Sequence, residues 1–165
     1  MQQASMVIHV DSKEPIKLFA CNVLGLSVKN PKIKEDPVST ELTKIDLVKE
    51  VKLIDYDHWA KGDSIAEHLV AMSQMRDLPL NPRHAEVLFN NPELYPDSWK
   101  GGVGNRIYVG FPGAVVYPAN SSEPMVVMLW WNGFGVSRSY ASRAGGNRQS
   151  KFYFAMFTGN PFAAK

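Results

Sequence analysis

The densest grouping of residues able to hold a metal or move a proton is Asp55, Asp57, His58, Asp63, Glu67 and His68. Zinc sites draw imidazole, thiolate and carboxylate ligands from short, fixed spacings, such as two histidines one helical turn apart. No His-x3-His pair or comparable repeat occurs, and the ten-residue step from His58 to His68 puts them on different faces of a helix. The cluster reads as solvated charge at helix boundaries, with no metal site. Serine catalysis would be signalled by Gly-x-Ser-x-Gly. The nearest string, Gly135, Val136, Ser137, Arg138, Ser139, lacks the second glycine and the strand-to-helix context. Cys21 lies in an apolar run and reads as a small buried hydrophobe rather than a nucleophile, which needs a polar setting and a partner base. Gly101, Gly102 and Gly104 follow Lys100 without the Gly-Lys-Ser/Thr ending of a P-loop, and read as a connection. His9, in a predicted strand, and His84, at a predicted helix start, read as structural. The chain is therefore read as non-enzymatic and without a cofactor, although catalytic groups gathered from distant positions escape a reading of one sequence.

The segment from Asn132 to Ser150 is different in kind. Fourteen of its 19 residues are Gly, Ser, Arg, Asn or Tyr. Those types supply adaptable hydrogen bonds, a rigid amphipathic ring and planar cationic donors, the composition of a protein-binding paratope. Read as one long surface loop, it exceeds the length usual for connections without a functional role. Its candidate ligand-binding residues are Phe134, Ser137, Arg138, Ser139, Tyr140, Ser142, Arg143, Asn147 and Arg148, with Trp130 and Trp131 anchoring the base. Arg138, Arg143 and Arg148 recur every five residues, a spacing that aligns on one face of neither a helix nor a strand, so only loop folding could make them converge. Arginine suits phosphate or carboxylate. With Lys151 and Arg106 nearby, the region also has the make-up of a basic, aromatic surface for single-stranded nucleic acid, though without an RNP-type motif.

The elements that must position these residues follow from composition and periodicity. A chain of 165 residues with 45% hydrophobic residues is long enough for a single core, and one domain is expected. Its apolar runs are strand-sized, far below the roughly 18 to 20 residues of a membrane-spanning helix. No signal-peptide pattern stands at the N-terminus, and the single cysteine excludes an internal disulfide, so the location is read as cytoplasmic, or a virion if the gene is a phage's. Residues 1–100 hold 12 Lys and Arg against 15 Asp and Glu, whereas residues 101–165 hold 6 against 1, an acidic part followed by a basic one. The fold class is α+β. Met6 to Val10 and Leu18 to Val28 read as a β hairpin over residues 1–28. Residues 39–90 read as helical: Ser39 as the cap of a helix carrying Leu42, Ile45, Val48 and Val51, a second helix from Ser64 to Met75, and a third from Asn81-Pro82 through Phe89. Residues 106–158 read as an antiparallel β meander, with strands Arg106–Phe111, Ala114–Tyr117, Met125–Trp131 and Lys151–Phe157, a turn at Pro112-Gly113, and the long loop 132–150 before the last strand.

Three strings in this region resemble a known class: Asn-Pro-Glu-Leu-Tyr-Pro-Asp-Ser-Trp-Lys (91–100), Phe-Pro-Gly-Ala-Val-Val-Tyr (111–117) and Leu-Trp-Trp-Asn-Gly (129–133). They are similar to small bacterial proteins whose C-termini, after a similar Trp-Asn-Gly, look like the variable regions of diversity-generating retroelements. The resemblance covers residues 91–133, about a quarter of the chain. It implies a C-type-lectin-like fold that displays rewritten residues to ligands, with Asn132 to Ser150 as the rewritten part. After Tyr140 the repeated Trp and Asp residues of that class are missing.

Three functional expectations result. The first is a binding domain that displays a Gly/Ser/Arg/Asn/Tyr-rich, hypervariable surface to a macromolecular or small-molecule ligand. It predicts that alanine at Arg138, Tyr140 and Arg143 abolishes binding and leaves the melting temperature unchanged. The second is a single-stranded nucleic-acid or anion binder that uses the basic C-terminal half, with affinity falling steeply with salt. The third is a phage or other assembly component, a homo-oligomer in which the basic part of one copy meets the acidic part of the next.

Overall fold

Met125–Trp131 is a run of Met, Val, Leu and Trp, residues that pack well on a pleated surface, and it forms a strand at the heart of a strand-rich α+β structure. The computed structural model describes residues 4–20, 31–55, 65, 66, 69, 78–102, 104–119, 123–142 and 150–159. In chain order the elements are β1 (Val7–His9), β2 (Lys32–Glu35), α1 (Pro37–Thr40), β3 (Lys44–Asp46), β4 (Val51–Asp55), β5 (Leu78–Pro79), α2 (Pro82–Asn90), 3-10 turns at Pro92–Leu94 and Asp97–Trp99, β6 (Arg106–Tyr117), β7 (Met125–Trp131), β8 (Val136–Ala141) and β9 (Ser150–Phe157). Seven strands form one sheet along the path β4-β9-β6-β7-β8, with β2 paired to the far part of β6 and β5 to the end of β9. All pairings are antiparallel except β6 with β9, where Arg106 lies opposite Ser150 and Gly110 opposite Phe154.

Because side chains alternate along a strand, this register sorts the sheet into two faces. One carries Val109, Phe111, Val127, Leu129, Tyr140, Ala155 and Phe157, and α2 covers it with Ala85 and Leu88. Leu42, Ile45, Leu47, Tyr95 and Trp99 complete that core. The other face carries Val126, Ala141, Phe152, Phe154 and Met156, against which Ile65 and Leu69 pack. Gly110 makes this second packing possible, since a Cβ there would stand 2.7 Å from the Phe154 ring.

A buried polar network fixes α2. Asn81 caps it by accepting from Arg83 N, while the Asn81 N–H donates to His84 Nδ1 at 2.9 Å. That bond leaves the His84 proton on Nε2, which donates to the Leu42 carbonyl at 2.6 Å. The Asn81 amide also donates to Ser39 O and Oγ, so α1 and Leu42 are tied to α2. Arg83 makes a two-bond pair with Glu35, at 3.0 and 3.2 Å, and its Nε donates to Glu14 O. The guanidinium lowers the Glu35 pKa below the usual carboxylate value. Burial lowers the His84 imidazole from 6.5 to about 4, so it stays neutral.

Several expectations are corrected here. β1 pairs with β3: Val7 faces Asp46 and His9 faces Lys44. Leu18–Ala20 form no strand, and residues 21–28 lie outside the described residues. The helix expected from Ser39 through Val51 stops after four residues, capped by Asp36, whose carboxylate accepts from Val38 N and Ser39 N. Thr40, Thr43, Ile45, Val48 and Val51 are β-branched and lose χ1 freedom in a helix. The Asp46 carboxylate also accepts from Val48 N and Lys49 N, forming a turn that delivers the chain into β4. Pro112-Gly113 is not a turn between two strands but an irregularity within β6, where the register to β7 shifts. Nor is the C-terminal half a meander, because β9 crosses over to lie between β4 and β6. The third helix is present as expected. Of the second, Ile65, Ala66 and Leu69 are helical and the other residues lie outside the described set.

Candidate ligand-binding surface

The segment read as a loop from Asn132 to Ser150 contains a strand instead. Val136–Ala141 is β8, which pairs with β7 from Trp131↔Val136 to Val126↔Ala141. Composition concealed it, because two of its six residues are serine and one is arginine. A strand needs only alternate positions to be apolar on its inner face, and Val136 and Tyr140 supply that.

This alternation divides the candidate residues. Arg138 and Tyr140 point towards α2. Tyr140 is 2% exposed and stacks on Phe19 with centroids 4.4 Å apart. Its hydroxyl accepts from Phe19 N and donates to Phe19 O, each at 3.0 Å. The Arg138 guanidinium lies between the rings of Phe19 and Phe89, 4.3 and 3.9 Å from their centroids, and pairs with Glu86 at 2.9 Å. The cleft beneath, lined in part by Lys17, Phe89 and Leu129, has a volume of about 10 Å³, at the lower limit for one water. These two side chains clasp the N-terminal segment around Phe19 to the sheet and are not free ligand contacts, contrary to their expected role.

Trp130, Ser137 and Ser139 point the other way. Tyr108 of β6, Trp130 of β7 and Ser137 of β8 lie directly opposite one another across three strands, and the next row holds Gly110, Met128 and Ser139. Tyr108, Met128, Trp130, Ser137 and Ser139 are each half-buried. Tyr108 and Trp130 meet edge to face, with centroids 5.5 Å apart. The exposed Arg106, two residues before Tyr108 on the same face, donates from Nη1 to the Tyr108 hydroxyl at 3.3 Å. Trp131 belongs to the opposite face, stacked on Tyr95 at 6.2 Å with the Lys100 ammonium 4.3 Å from its ring. Ser142 is half-buried, and its carbonyl accepts from Ile65 N. Arg143, Asn147 and Arg148 lie outside the described residues.

The β7–β8 turn ends this surface. Phe134 is 100% exposed at its tip. Gly133 takes φ 98°, a conformation that side-chain-bearing residues resist. Asn132 Oδ1 accepts from Phe134 N at 2.9 Å and Gly135 N at 3.0 Å, while Asn132 N donates to Gly135 O. Its amide also donates to Ser137 Oγ at 2.7 Å.

The surface is thus a strip of Arg106, Tyr108, Trp130, Met128, Ser137 and Ser139 with Phe134 beyond its end. Tyr108 and Met128 were missed in the sequence. Their signal is the period-two spacing Arg106, Tyr108, Gly110 and Met128, Trp130, which is informative only once strand register is known. The arrangement offers rings, hydroxyls and a cation on a rigid sheet, suited to binding. Among the described residues no group of three His, Cys, Asp or Glu side chains stands close enough to hold a metal, and no helix is long and apolar enough to cross a membrane. No protein family, curated protein or solved structure matches the chain.

Proposed function

We propose that this chain is a non-enzymatic binding domain that presents Tyr108, Trp130, Ser137, Ser139 and Phe134 to a ligand. The observation that carries the reading is the row Tyr108–Trp130–Ser137, whose three side chains are each half-exposed on adjacent paired strands, with Tyr108 packed along one side of the second core. Sites built on strands hold their geometry better than sites on loops, and Tyr, Trp and Ser combine rigid contact area with adaptable hydrogen bonds. The resemblance of residues 91–133 to retroelement-diversified proteins supports the further reading that the scaffold is C-type-lectin-like and that this surface is varied.

A diversified surface must vary where side chains face ligand and stay constant where they face the core. Sequencing the gene across its source population tests this directly. Substitutions are expected at positions 134, 137 and 139, with 136, 140 and 141 constant. Variation spread evenly, or as frequent at Tyr140 as at Ser139, would remove the diversified reading. Binding itself is tested by probing arrayed glycans and proteins with the wild-type chain and a Ser137→Trp, Ser139→Trp variant. Specific signals lost in the variant support the surface; signals unchanged, or none, count against it.

Single-stranded nucleic acid is a second reading, favoured by Arg106 beside the Tyr108–Trp130 pair. It requires affinity for mixed oligonucleotides that falls steeply with salt and is reduced by Arg106→Ala.

A further inference from the structure

Phe134 is the only large apolar side chain among the described residues that is wholly exposed; the next, Val7 and Ile33, are each 37% exposed. A lone exposed hydrophobe needs no explanation, but the turn that carries this one is built to leave water. The backbone N–H groups of Asn132, Phe134 and Gly135 are all satisfied within the turn, two of them by the Asn132 side chain. The second hydrogen-bonding end of that side chain is taken by Ser137 Oγ. Moving unpaired backbone donors out of water costs several kcal/mol each, and this tip avoids that cost for three of them.

What lies behind the tip indicates the medium it would enter. Trp130 and Trp131, on opposite faces of the hairpin, are both half-buried, and Tyr108 stands beside the first. Rings with one polar atom favour the boundary between water and hydrocarbon. Arg106 and Lys151 are exposed near the starts of the two adjoining strands, at the same end of the sheet. Lys100 sits over Trp131. After Asp97, which is paired with Lys100 at 2.7 Å, the only acidic residue in the sequence is Glu123, which precedes the far end of β7. Phe134 lies three residues beyond Trp131, at most about 10 Å along the chain, matching the depth of roughly 5–10 Å to which interfacial apolar groups sink.

We infer that the β7–β8 tip docks on a lipid surface bearing anionic headgroups: Phe134 enters the acyl boundary, Trp130 and Trp131 lie at headgroup level, and Arg106 meets the headgroup charge. This rests on the reading of the tip as a contact surface and names its partner. Nucleic acid would use the rings and cations but has no use for a turn three of whose backbone donors are already satisfied.

The test is sedimentation of the whole protein with vesicles of phosphatidylcholine alone and of phosphatidylcholine mixed with phosphatidylserine. Binding is expected to the anionic vesicles, weaker in high salt, and reduced about ten- to a hundredfold by Phe134→Ser, the loss that corresponds to one buried phenyl group. Phe134→Trp should bind at least as well as wild type. Because Phe134 is wholly exposed, both variants should melt with the wild type. No sedimentation with anionic vesicles at low salt overturns the inference, as does equal binding by Phe134→Ser, which would mean adsorption by charge alone. If vesicles fail while Phe134→Ser abolishes an arrayed protein or glycan signal, the lipid is wrong and the binding-domain reading stands. Failure of both removes both.

Discussion

Replacing Tyr140 by phenylalanine isolates what the clasp contributes. The ring and its stack on Phe19 remain, and only a hydroxyl that accepts from Phe19 N and donates to Phe19 O is lost. Two hydrogen bonds at about 0.5–1.5 kcal/mol net each give a loss of about 1–3 kcal/mol. For a chain of 165 residues that is a fall in melting temperature of roughly 2–12 °C. Tyr140→Ala removes the ring as well and should cost about 3–5 kcal/mol by analogy with other aromatic truncations, a large part of a typical domain's about 5–15 kcal/mol. Phe134→Ala, at the wholly exposed tip of the β7–β8 turn, should stay within about 0.5 kcal/mol. The assay is equilibrium unfolding in urea, with circular dichroism and tryptophan fluorescence required to coincide. A double-mutant cycle with Phe19→Ala adds a check: Tyr140→Ala should couple to it and Tyr140→Phe hardly at all, because the hydroxyl bonds the Phe19 backbone. The reasoning fails if Tyr140→Phe matches wild type, or if Phe134→Ala costs as much. The same numbers run against the expectation that alanine at Tyr140 spares stability.

Tyr95 provides the opposite case, since its hydroxyl is buried with no hydrogen-bond partner among the described residues and its pKa is raised by burial. Tyr95→Phe should therefore leave stability unchanged or raise it by about 1 kcal/mol, measured by the same urea titration. The His84 ring takes up its second proton in the folded state only below about pH 4, but in the unfolded chain below about 6.5, so stability present above pH 6.5 is lost as the pH falls towards 4. The loss should be on the order of 3 kcal/mol; His84→Gln should start from lower stability and lack that decline, and an unchanged pH profile would assign it elsewhere. At Gly113 an added Cβ would stand 2.8 Å from both the Leu80 and Pro79 carbonyl oxygens and against Ser39 Oγ. Gly113→Ala should consequently cost about 1–3 kcal/mol or more, read as a lowered melting temperature.

What was legible in the sequence was what local chemistry decides. Asn81-Pro82 names a helix start by its cap and its pre-set φ, and α2 begins there. Met125–Trp131 names a strand by content alone, and β7 has those bounds. Pairing decides the rest. β2 is Lys-Ile-Lys-Glu, with no inward apolar pattern, and becomes a strand because β6 lends it a partner from Lys32↔Tyr117 to Glu35↔Ala114. Leu42, Ile45 and Val48 have helical spacing, but Asp46 turns the chain between them. The candidate surface was half legible: the segment and its flanking tryptophans were singled out, while the alternation that turns Ser137 and Ser139 outward and Arg138 and Tyr140 inward depends on β7 lying alongside. Residue types show what a side chain can do, and register decides which way it faces.

The position of β9 between β4 and β6 has a consequence for how the protein is made. Among the described residues every other strand precedes it in the chain, yet it joins the sheet's interior, matching Phe157 to Val51 across more than a hundred residues. Until it has been synthesised, β4 and the β6–β7–β8 block are separate pieces, and one long edge of β6 is open. Contacts so distant in sequence form slowly, and open edges invite pairing with other chains. A nascent chain halted before Ser150 would therefore have most of its strands but no joined sheet, and aggregation during translation should compete with folding until β9 arrives.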